Sequence, residues 1–344
     1  MKIGIVFGGV SFEHEISIVS SIAMKDVLKD ELIYIFLDQD RTFYHIPTAT
    51  IKSKLFSSGE YKKCDTLTLK KGGFSKKAMF GEKELDVDVL LNLTHGGDGE
   101  DGLLASLFEF NNLAYIGPRK GACAVAFNKF LTKGYAASTG VKTIDYNYFT
   151  KDDEVIVDTF PVIIKPVTLG SSIGVSIVKS QEELNYALDV AFEFDDAIII
   201  EPFISGIKEY NLAGCKVNGE FLFSIIEEPQ KAEFLDFDKK YLDFARTSTA
   251  LTADLSETMQ EKVKETFKKV YNNTFEGSLI RCDLFIENDE VYLNEINPIP
   301  GSMANYLFED FNAVLTSLAK ALPKTRQIKV DYAYVNKIQA SKGK

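Results

Sequence analysis

Residues 280–301 read IRCDLFIENDEVYLNEINPIPG, and this segment carries the strongest structural signal in the chain. Two apolar runs flank Asn288-Asp289, a turn signal, and therefore predict an antiparallel hairpin. On the second run Glu295 and Asn297 lie two residues apart, so alternation places both side chains on one face. Because a buried carboxylate without a partner is costly, this face is predicted to bind a ligand.

The register of the hairpin depends on the length of its turn. With a three-residue loop, 288–290, Asp283 lies opposite Glu295 and Arg281 lies opposite Asn297, whereas a two-residue loop would put the two carboxylates on opposite faces. The predicted ligand face then carries six side chains: Arg281, Asp283, Phe285, Leu293, Glu295 and Asn297. The opposite face, Asn294 excepted, is predicted to be core: Ile280, Cys282, Leu284, Ile286, Tyr292 and Ile296.

The ligand face has the composition of a metal and base site. Three oxygen-bearing side chains, Asp283, Glu295 and Asn297, suit a hard cation such as Mg²⁺. The adjacent Phe285 and Leu293 would support a flat base. The alternative is a solvated face with an ordinary Arg–carboxylate pair, and the hairpin by itself does not decide between the two.

Two further segments add donors for a phosphorylated ligand. Lys165 ends the apolar strand PVIIKP, and the turn GSSIG (170–174) follows, where backbone N–H groups can approach phosphate oxygens. The alternative for this turn is a plain hairpin connection. Residues 201–204 end another apolar strand and can present backbone groups to a base edge, and Glu209 is a candidate for ribose hydroxyls.

The first third of the chain alternates strands and helices. KIGIVF and LIYIFLD predict buried strands around an amphipathic helix from about Glu15 to Lys29, and VDVLLNL (87–93) predicts a third strand. This βαβ pattern indicates a parallel, doubly wound sheet. Residues 41–80 are interpreted as an insertion with a small hairpin around residues 71–73.

Composition excludes several classes of protein. The 344 residues are 45% hydrophobic and 26% charged, as in a soluble globular protein, and the net charge of −11 argues against nucleic-acid or anionic-membrane binding. The four cysteines are scattered without a CxxC pair, which predicts reduced thiols and no metal–thiolate site. No signal peptide or membrane-spanning run is found, so a cytoplasmic protein is expected.

Together, and in this order, these segments resemble the ATP-grasp superfamily and, within it, the D-alanine–D-alanine ligases, over roughly residues 1–320. The most specific matches are FGGVSFEHEIS (7–17), LTHGGDGEDG (93–102), IIKPVTLGSSIGV (163–175), FDKKYL (237–242) and IRCDLF…YLNEINPIPG (280–301). The resemblance implies an α/β (α+β) fold of ATP-grasp architecture, with an N-terminal doubly wound parallel sheet, a small central domain and a C-terminal antiparallel sheet. The implied boundaries are 1–118 for the substrate-binding domain, 119–200 for the central lid, 201–330 for the catalytic domain and 331–344 for a tail.

By this resemblance, ATP and two Mg²⁺ ions (Mn²⁺ as a substitute) are bound by matching positions. The metals would be held by Asp283, Glu295 and Asn297, with Glu295 bridging. The implied ATP contacts are Lys129, Lys165, Ser172 and Lys240 on phosphates, Glu201, Pro202, Phe203 and Ile204 on adenine, Glu209 on ribose, and Phe285 and Leu293 beneath the base.

The implied reaction joins two D-alanines for peptidoglycan precursor synthesis. The first D-alanine carboxylate attacks the γ-phosphate, and the amine of the second then displaces phosphate from the acyl phosphate. Arg281 and the Gly301 N–H match an oxyanion site. Glu13 matches the residue that binds the first amine, although a carboxylate entering a helix is also favoured by the helix dipole alone.

Three further positions complete the implied site. Ser171 and Tyr241 match residues that hydrogen-bond with Glu13 and close the long charged loop 228–252 over the substrates. His95 matches a residue near the second substrate; a lone turn residue and a metal ligand are the alternatives for it.

One position departs from the family pattern. The serine that helps to bind the second D-alanine carboxylate aligns with Tyr306, at the predicted start of the last helix. Either the Tyr306 hydroxyl and backbone N–H groups hold this carboxylate, which we favour, or the ring faces the core and Ser302 with the Leu307 amide takes over.

Three other functions are alternatives to this one. A dinucleotide-dependent dehydrogenase lacks support because the first glycine segment is GGVSFE rather than GxGxxG. A regulatory nucleotide-binding protein without chemistry would lack some of the matching site residues, and none is missing. A sister ligase forming D-alanyl-D-lactate or D-alanyl-D-serine is the nearest alternative, but Lys240-Tyr241 fits dipeptide-forming members better. The family resemblance also implies a homodimer.

Overall fold

The computed structural model describes residues 1–229, 250–324 and 328–342. Its strands form one eight-stranded sheet and two four-stranded sheets. Among the described residues, no helix combines the length and the apolar character needed to cross a lipid bilayer. All four cysteines are free thiols, as predicted.

The first sheet has the order β6-β5-β4-β3-β2-β1-β7-β8. Its strands are β1 (Lys2–Gly8), β2 (Glu31–Leu37), β3 (Phe43–Ile46), β4 (Asp65–Lys70), β5 (Gly73–Lys77), β6 (Glu82–Glu84), β7 (Val89–Asn92) and β8 (Tyr115–Ile116). The half containing β2, β1, β7 and β8 is parallel, as predicted from the βαβ pattern, and β3 to β6 add antiparallel strands. The predicted insertion therefore extends the sheet, and its hairpin turns at Lys71-Gly72.

Helices cover this sheet and lead to the next one. They are α1 (His14–Val27), α2 (Ser53–Ser57), α3 (Gly97–Glu100), α4 (Leu103–Phe110), α5 (Lys120–Phe127) and α6 (Lys129–Ser138), with a 3-10 turn at Glu60–Lys63. All but the first residue of β1 are buried, because helices and neighbouring strands cover it on every side. The N-terminus of α1 lies at the carboxyl end of β1, where open α/β sheets bind ligands.

The second sheet has the order β11-β10-β12-β9 and packs against α7 (Gln181–Phe194). Its strands are β9 (Asn147–Thr150), β10 (Val162–Pro166), β11 (Ser176–Val178) and β12 (Ala197–Pro202). The glycine-rich turn 170–174 lies in the connection between the antiparallel β10 and β11. The hairpin interpretation of this turn is thus correct, and it is compatible with phosphate binding.

The third sheet has the order β14-β13-β15-β16 and is covered by α8 (Glu257–Tyr271). Its strands are β13 (Lys208–Val217), β14 (Glu220–Glu227), β15 (Ile280–Glu287) and β16 (Glu290–Asn297). Helix α8 buries an apolar stripe at helical spacing, and its Ser256 cap accepts a hydrogen bond from the Met259 amide. After the hairpin come a 3-10 turn at Gly301–Leu307, α9 (Phe311–Lys320) and α10 (Ala333–Lys342).

The hairpin β15–β16 has the predicted pairs but not the predicted turn. Asp283 lies opposite Glu295 and Arg281 opposite Asn297, yet the loop contains only the two residues 288 and 289, both with positive φ. Two-residue turns of this kind match the right-handed twist of the strands. A bulge resolves the conflict: the register shifts between Asp283 and Leu284, and the additional residue restores the carboxylates to one face.

The bulge changes which side chains lie beside the base position. Beyond it, Leu284 pairs with Leu293 and Phe285 pairs with Tyr292. Leu293 is fully buried in the core, so its predicted place under a base is wrong, and Tyr292, predicted to be core, lies opposite Phe285 instead. The extra residue, Asn294, is the one that did not fit the predicted core face.

The segment after the hairpin is also different from its prediction. Ser302, Met303 and Ala304 have φ values of 48°, 54° and 50°, a left-handed turn rather than the start of a helix. The last long helix of this region, α9, begins at Phe311, and the Asp310 side chain caps it by accepting from the Ala313 amide. The amides at the N-terminus of α9 are therefore not the ones near Tyr306.

Candidate active site

Asp283 is the most constrained carboxylate of the hairpin. It is 3% exposed, and Arg281 binds it with two hydrogen bonds, from Nε at 2.6 Å and from Nη2 at 2.8 Å. Asn297 Nδ2 donates to the same carboxylate at 3.0 Å. Burial raises the pKa of Asp283 to about 7, although Arg281 opposes this rise. The predicted metal residues Asp283 and Asn297 are thus in contact, and Glu295 lies directly across the ladder.

A polar row crosses the third sheet at this level. Asp283 pairs on its other side with Asn211, and Asn211 pairs with Glu227. Both are buried, and the Asn211 amide donates to Glu227 at 3.1 Å, whereas the Asn211 Oδ1 atom has no hydrogen-bond partner among the described residues. Sequence reasoning missed these two residues, although polar side chains inside apolar strands were a signal for them.

The donor set at the hairpin is compatible with Mg²⁺. Within residues 1–229, 250–324 and 328–342 there is no group of three or more His, Cys, Asp or Glu side chains placed to bind a metal. Two carboxylates and an amide oxygen nevertheless suffice for Mg²⁺, which usually completes its octahedron with water and substrate phosphate oxygens. Zn²⁺, which prefers nitrogen and sulfur ligands, does not suit this set.

Two partly buried lysines lie next to the hairpin. Lys165, near the end of β10, lies 2.6 Å from Glu201 Oε2 and 3.3 Å from the Asn294 side-chain oxygen. Lys129, the first residue of α6, donates to the Leu169 carbonyl at 2.6 Å, and burial lowers its pKa. Glu201 is 4% exposed, so this carboxylate is buried beside Lys165.

Lys133 also belongs to this cluster, and the sequence analysis did not identify it. Its Nζ atom lies 2.5 Å from Glu201 Oε1, and its side chain is 3% exposed. A signal was present: Lys129 and Lys133 are four residues apart on α6 and therefore share one helix face.

The glycine-rich turn touches the entry of α1. Ser171 Oγ donates to Glu13 Oε1 at 2.5 Å, and Ser171 and Ser172 both have left-handed φ values. Burial, followed by the nearby Glu100 carboxylate, raises the pKa of Glu13. Gly96 packs against the same carboxylate: a Cβ atom there would lie 2.7 Å from Glu13 Oε2. Glu13 and Ser171, predicted to interact, are in contact.

His95 is buried beside α1. Its Nε2 atom lies 3.1 Å from Ser20 Oγ, and its Nδ1 atom lies 3.8 Å from Glu100. The Ser302 amide also donates to Ser20 Oγ, at 3.4 Å, which brings the left-handed turn to the same place. Ser302 Oγ is buried, and no hydrogen-bond partner for it lies within the described part of the chain.

The remaining predicted residues are placed as follows. Pro202 is exposed, Phe203 and Ile204 are half-buried on the linker between β12 and β13, and Glu209 lies opposite Phe285 on β13. Gly301 and Tyr306 are half-buried, whereas Leu307 is buried in the core. Lys240 and Tyr241, with most of the predicted lid loop, lie outside the described residues.

Comparison with known proteins identifies the family. A model of the D-ala D-ala ligase N-terminus matches residues 2–118, and a model of the D-ala D-ala ligase C-terminus matches residues 136–313. The chain is 59% identical to the D-alanine–D-alanine ligase of Wolinella succinogenes over 345 residues and 60% identical to that of Sulfurovum sp. over 346, with full coverage of both partners in each case.

Solved structures agree with this assignment. The crystal structure of D-alanine–D-alanine ligase from Helicobacter pylori matches with a TM-score of 0.85 and 48% identity, over 95% of this chain and 100% of that chain. The predicted ATP-grasp fold class is therefore confirmed. The chain belongs to the D-alanine–D-alanine ligase family.

Proposed function

We propose that this protein is an ATP-dependent ligase that joins two D-alanines into D-alanyl-D-alanine through a D-alanyl phosphate. The observation that carries the proposal is the pairing of Asp283 with Glu295 on the hairpin, with Lys165 bound to the neighbouring Asn294 and with Glu13, held by Ser171, close enough to Glu295 for the two charges to interact. Family membership supports the same reaction. In the same proposal the protein is cytoplasmic, acts in peptidoglycan precursor synthesis and forms a homodimer. Its domains have the limits given above.

The hairpin would hold two Mg²⁺ ions through Asp283, Glu295 and Asn297. The ions would supply charge neutralisation for the phosphates and the attacking carboxylate. Lys129 and Lys165 add positive charge at the phosphates, and the 170–174 turn adds backbone N–H groups. Excluding water from this pocket strengthens each of these interactions.

The two substrates would bind between the hairpin and α1. Glu13 holds the ammonium group of the first D-alanine, so that its carboxylate points towards the γ-phosphate. Arg281 uses two of its five N–H donors on Asp283, which leaves three for the developing oxyanion. The Gly301 amide is the second donor of this proposed oxyanion site.

The proposed reaction is tested by phosphate release. Purified protein is incubated with ATP, Mg²⁺ and D-alanine, with L-alanine, D-lactate and D-serine as alternative substrates. Release that requires D-alanine, with D-alanyl-D-alanine as the product, is expected. Product formation preferring D-lactate or D-serine as the second substrate would replace the proposal with the sister activity.

The raised pKa of Glu13 predicts a pH dependence for the first D-alanine. The ammonium group requires the ionised carboxylate, so kcat/KM for D-alanine should fall as pH decreases through the pKa of Glu13, which lies above the ordinary value of about 4.3. The Glu100→Gln variant removes one cause of the raised pKa and should shift this fall to lower pH. The titration of free D-alanine is the same in assays of the wild type and of Glu100→Gln. Identical pH profiles of kcat/KM for these two proteins would therefore contradict the assignment of Glu13.

Tyr306 is predicted to contribute to binding of the second D-alanine. A charge-assisted hydrogen bond is worth roughly 1.5–3 kcal/mol, so Tyr306→Phe should raise the KM for the second D-alanine by about 10-fold or more and leave the KM for ATP unchanged. Tyr186→Phe, at an exposed position on α7, serves as the control. An unchanged KM in Tyr306→Phe would show that Tyr306 does not bind this carboxylate. Ser302 and the backbone amides would then be its binding groups.

A further inference from the structure

Glu201 is a buried carboxylate held by two lysines, one on each oxygen. Lys133 Nζ lies 2.5 Å from Oε1, and Lys165 Nζ lies 2.6 Å from Oε2. All three side chains are largely shielded from solvent, with exposed fractions of 5% for Glu201, 3% for Lys133 and 13% for Lys165. Charge interactions between buried groups are weakly screened by solvent and salt, so removing one of the three charges strongly changes the electrostatic energy of the other two.

The two lysines have different second contacts. Lys133 donates to the Ile144 carbonyl at 2.9 Å, and its Nζ atom lies 5.0 Å from the centre of the Tyr146 ring. Both contacts are made with the segment that follows α6. Lys165 instead lies 3.3 Å from the Asn294 side chain, on the bulge of the hairpin that carries the acidic residues.

This difference has a consequence when a triphosphate binds. Phosphate oxygens compete for Lys165, because that lysine faces the hairpin where the phosphates are proposed to lie. A buried carboxylate that loses its only counterion is strongly destabilised or takes up a proton. Among the described residues, Lys133 is the second counterion of Glu201, and it stays in place because it also donates to the Ile144 carbonyl.

We propose that Lys133 is a positioning residue, which holds the Glu201 carboxylate in place so that it accepts a hydrogen bond from the adenine 6-amino group while Lys165 turns to the phosphates. The inference rests on the proposed ATP-dependent function, and it adds a residue that determines nucleotide specificity. The charges of the cluster support it: burial raises the pKa of Glu201, but Lys165 and Lys133 together hold that pKa below its ordinary value. An ionised carboxylate accepts from an amino group and repels the 6-oxo group of a hypoxanthine base.

The test compares ATP with inosine triphosphate, which carries a 6-oxo group in place of the 6-amino group. Lys133→Met removes the charge and keeps an apolar stem. This variant should have an increased KM for ATP and therefore a kcat/KM about 10-fold lower than the wild type, which is the effect of losing one charge-assisted hydrogen bond. The preference for ATP over inosine triphosphate should fall by the same factor. Lys133→Arg retains the charge and should stay closest to the wild type.

The matched control is Lys142→Met. Lys142 follows the same helix, but its side chain is 57% exposed and pairs with the exposed Glu290, so both kinetic constants should match the wild type. If Lys133→Met does not fold, Lys133→Gln replaces it under the same criteria. An equal loss with both nucleotides, or a fall in kcat at unchanged KM, would overturn the inference.

Failure of the proposed function can be separated from failure of this inference. A wild-type protein without D-alanine-dependent turnover would refute the function. In that case the dissociation constants of ATP and inosine triphosphate, titrated directly into wild type and Lys133→Met, still test the specificity. Equal discrimination by the two proteins would overturn the role of Lys133.

Discussion

Glu295→Gln is expected to lose nearly all turnover, by about 1000-fold, which corresponds to about 4 kcal/mol of transition-state stabilisation. Glu295 lies directly opposite the buried Asp283, so two carboxylates share one face of the hairpin there. Glutamine preserves the shape of the side chain but removes half of the negative charge that these two carboxylates offer to a cation. ADP formation as a function of Mg²⁺ concentration measures the effect.

The control for this variant lies on the same strand. Glu290→Gln changes the first residue of β16, which is half exposed and pairs with Lys142 outside the site, so its turnover should equal that of the wild type. The Mg²⁺ concentration for half-maximal residual activity should rise in Glu295→Gln and stay constant in Glu290→Gln. Substantial turnover by Glu295→Gln at the wild-type Mg²⁺ requirement would show that Glu295 does not bridge the metals.

Arg281→Met is expected to reduce both stability and turnover. Arg281 makes two hydrogen bonds to Asp283, a carboxylate that is 3% exposed. Removing one partner of a buried ion pair costs about 3–5 kcal/mol, because the other charge is left uncompensated. Removing an oxyanion donor costs about 100- to 1000-fold in kcat. Urea denaturation and ADP formation measure the two effects separately.

A second substitution distinguishes charge imbalance from general damage to the core. In Arg281→Met/Asp283→Asn the uncompensated carboxylate is gone, so the double variant should recover more than half of the free energy of unfolding lost by the single variant. Equal instability of both variants would mean that the pair does not act through its charge. If Arg281→Met keeps the wild-type kcat, Arg281 is not a donor of the oxyanion site.

The sequence by itself determined the elements that follow from local periodicity. Alternation predicted the hairpin and the shared face of Glu295 and Asn297, and the βαβ pattern predicted the parallel half of the first sheet. The order of the motifs indicated the family. These properties are local because residue spacing alone decides which side chains share a face of a strand or helix.

Only the tertiary structure decided how distant segments combine. The bulge at Asn294 depends on the packing of β16 against its neighbours, and it moved Leu293 into the core and Tyr292 out of it. The Lys133–Glu201 pair joins residues 68 positions apart, and the Glu13–Ser171 contact joins residues 158 positions apart. No periodicity encodes such pairs, since they form only when burial of separate apolar faces brings these polar groups together away from water.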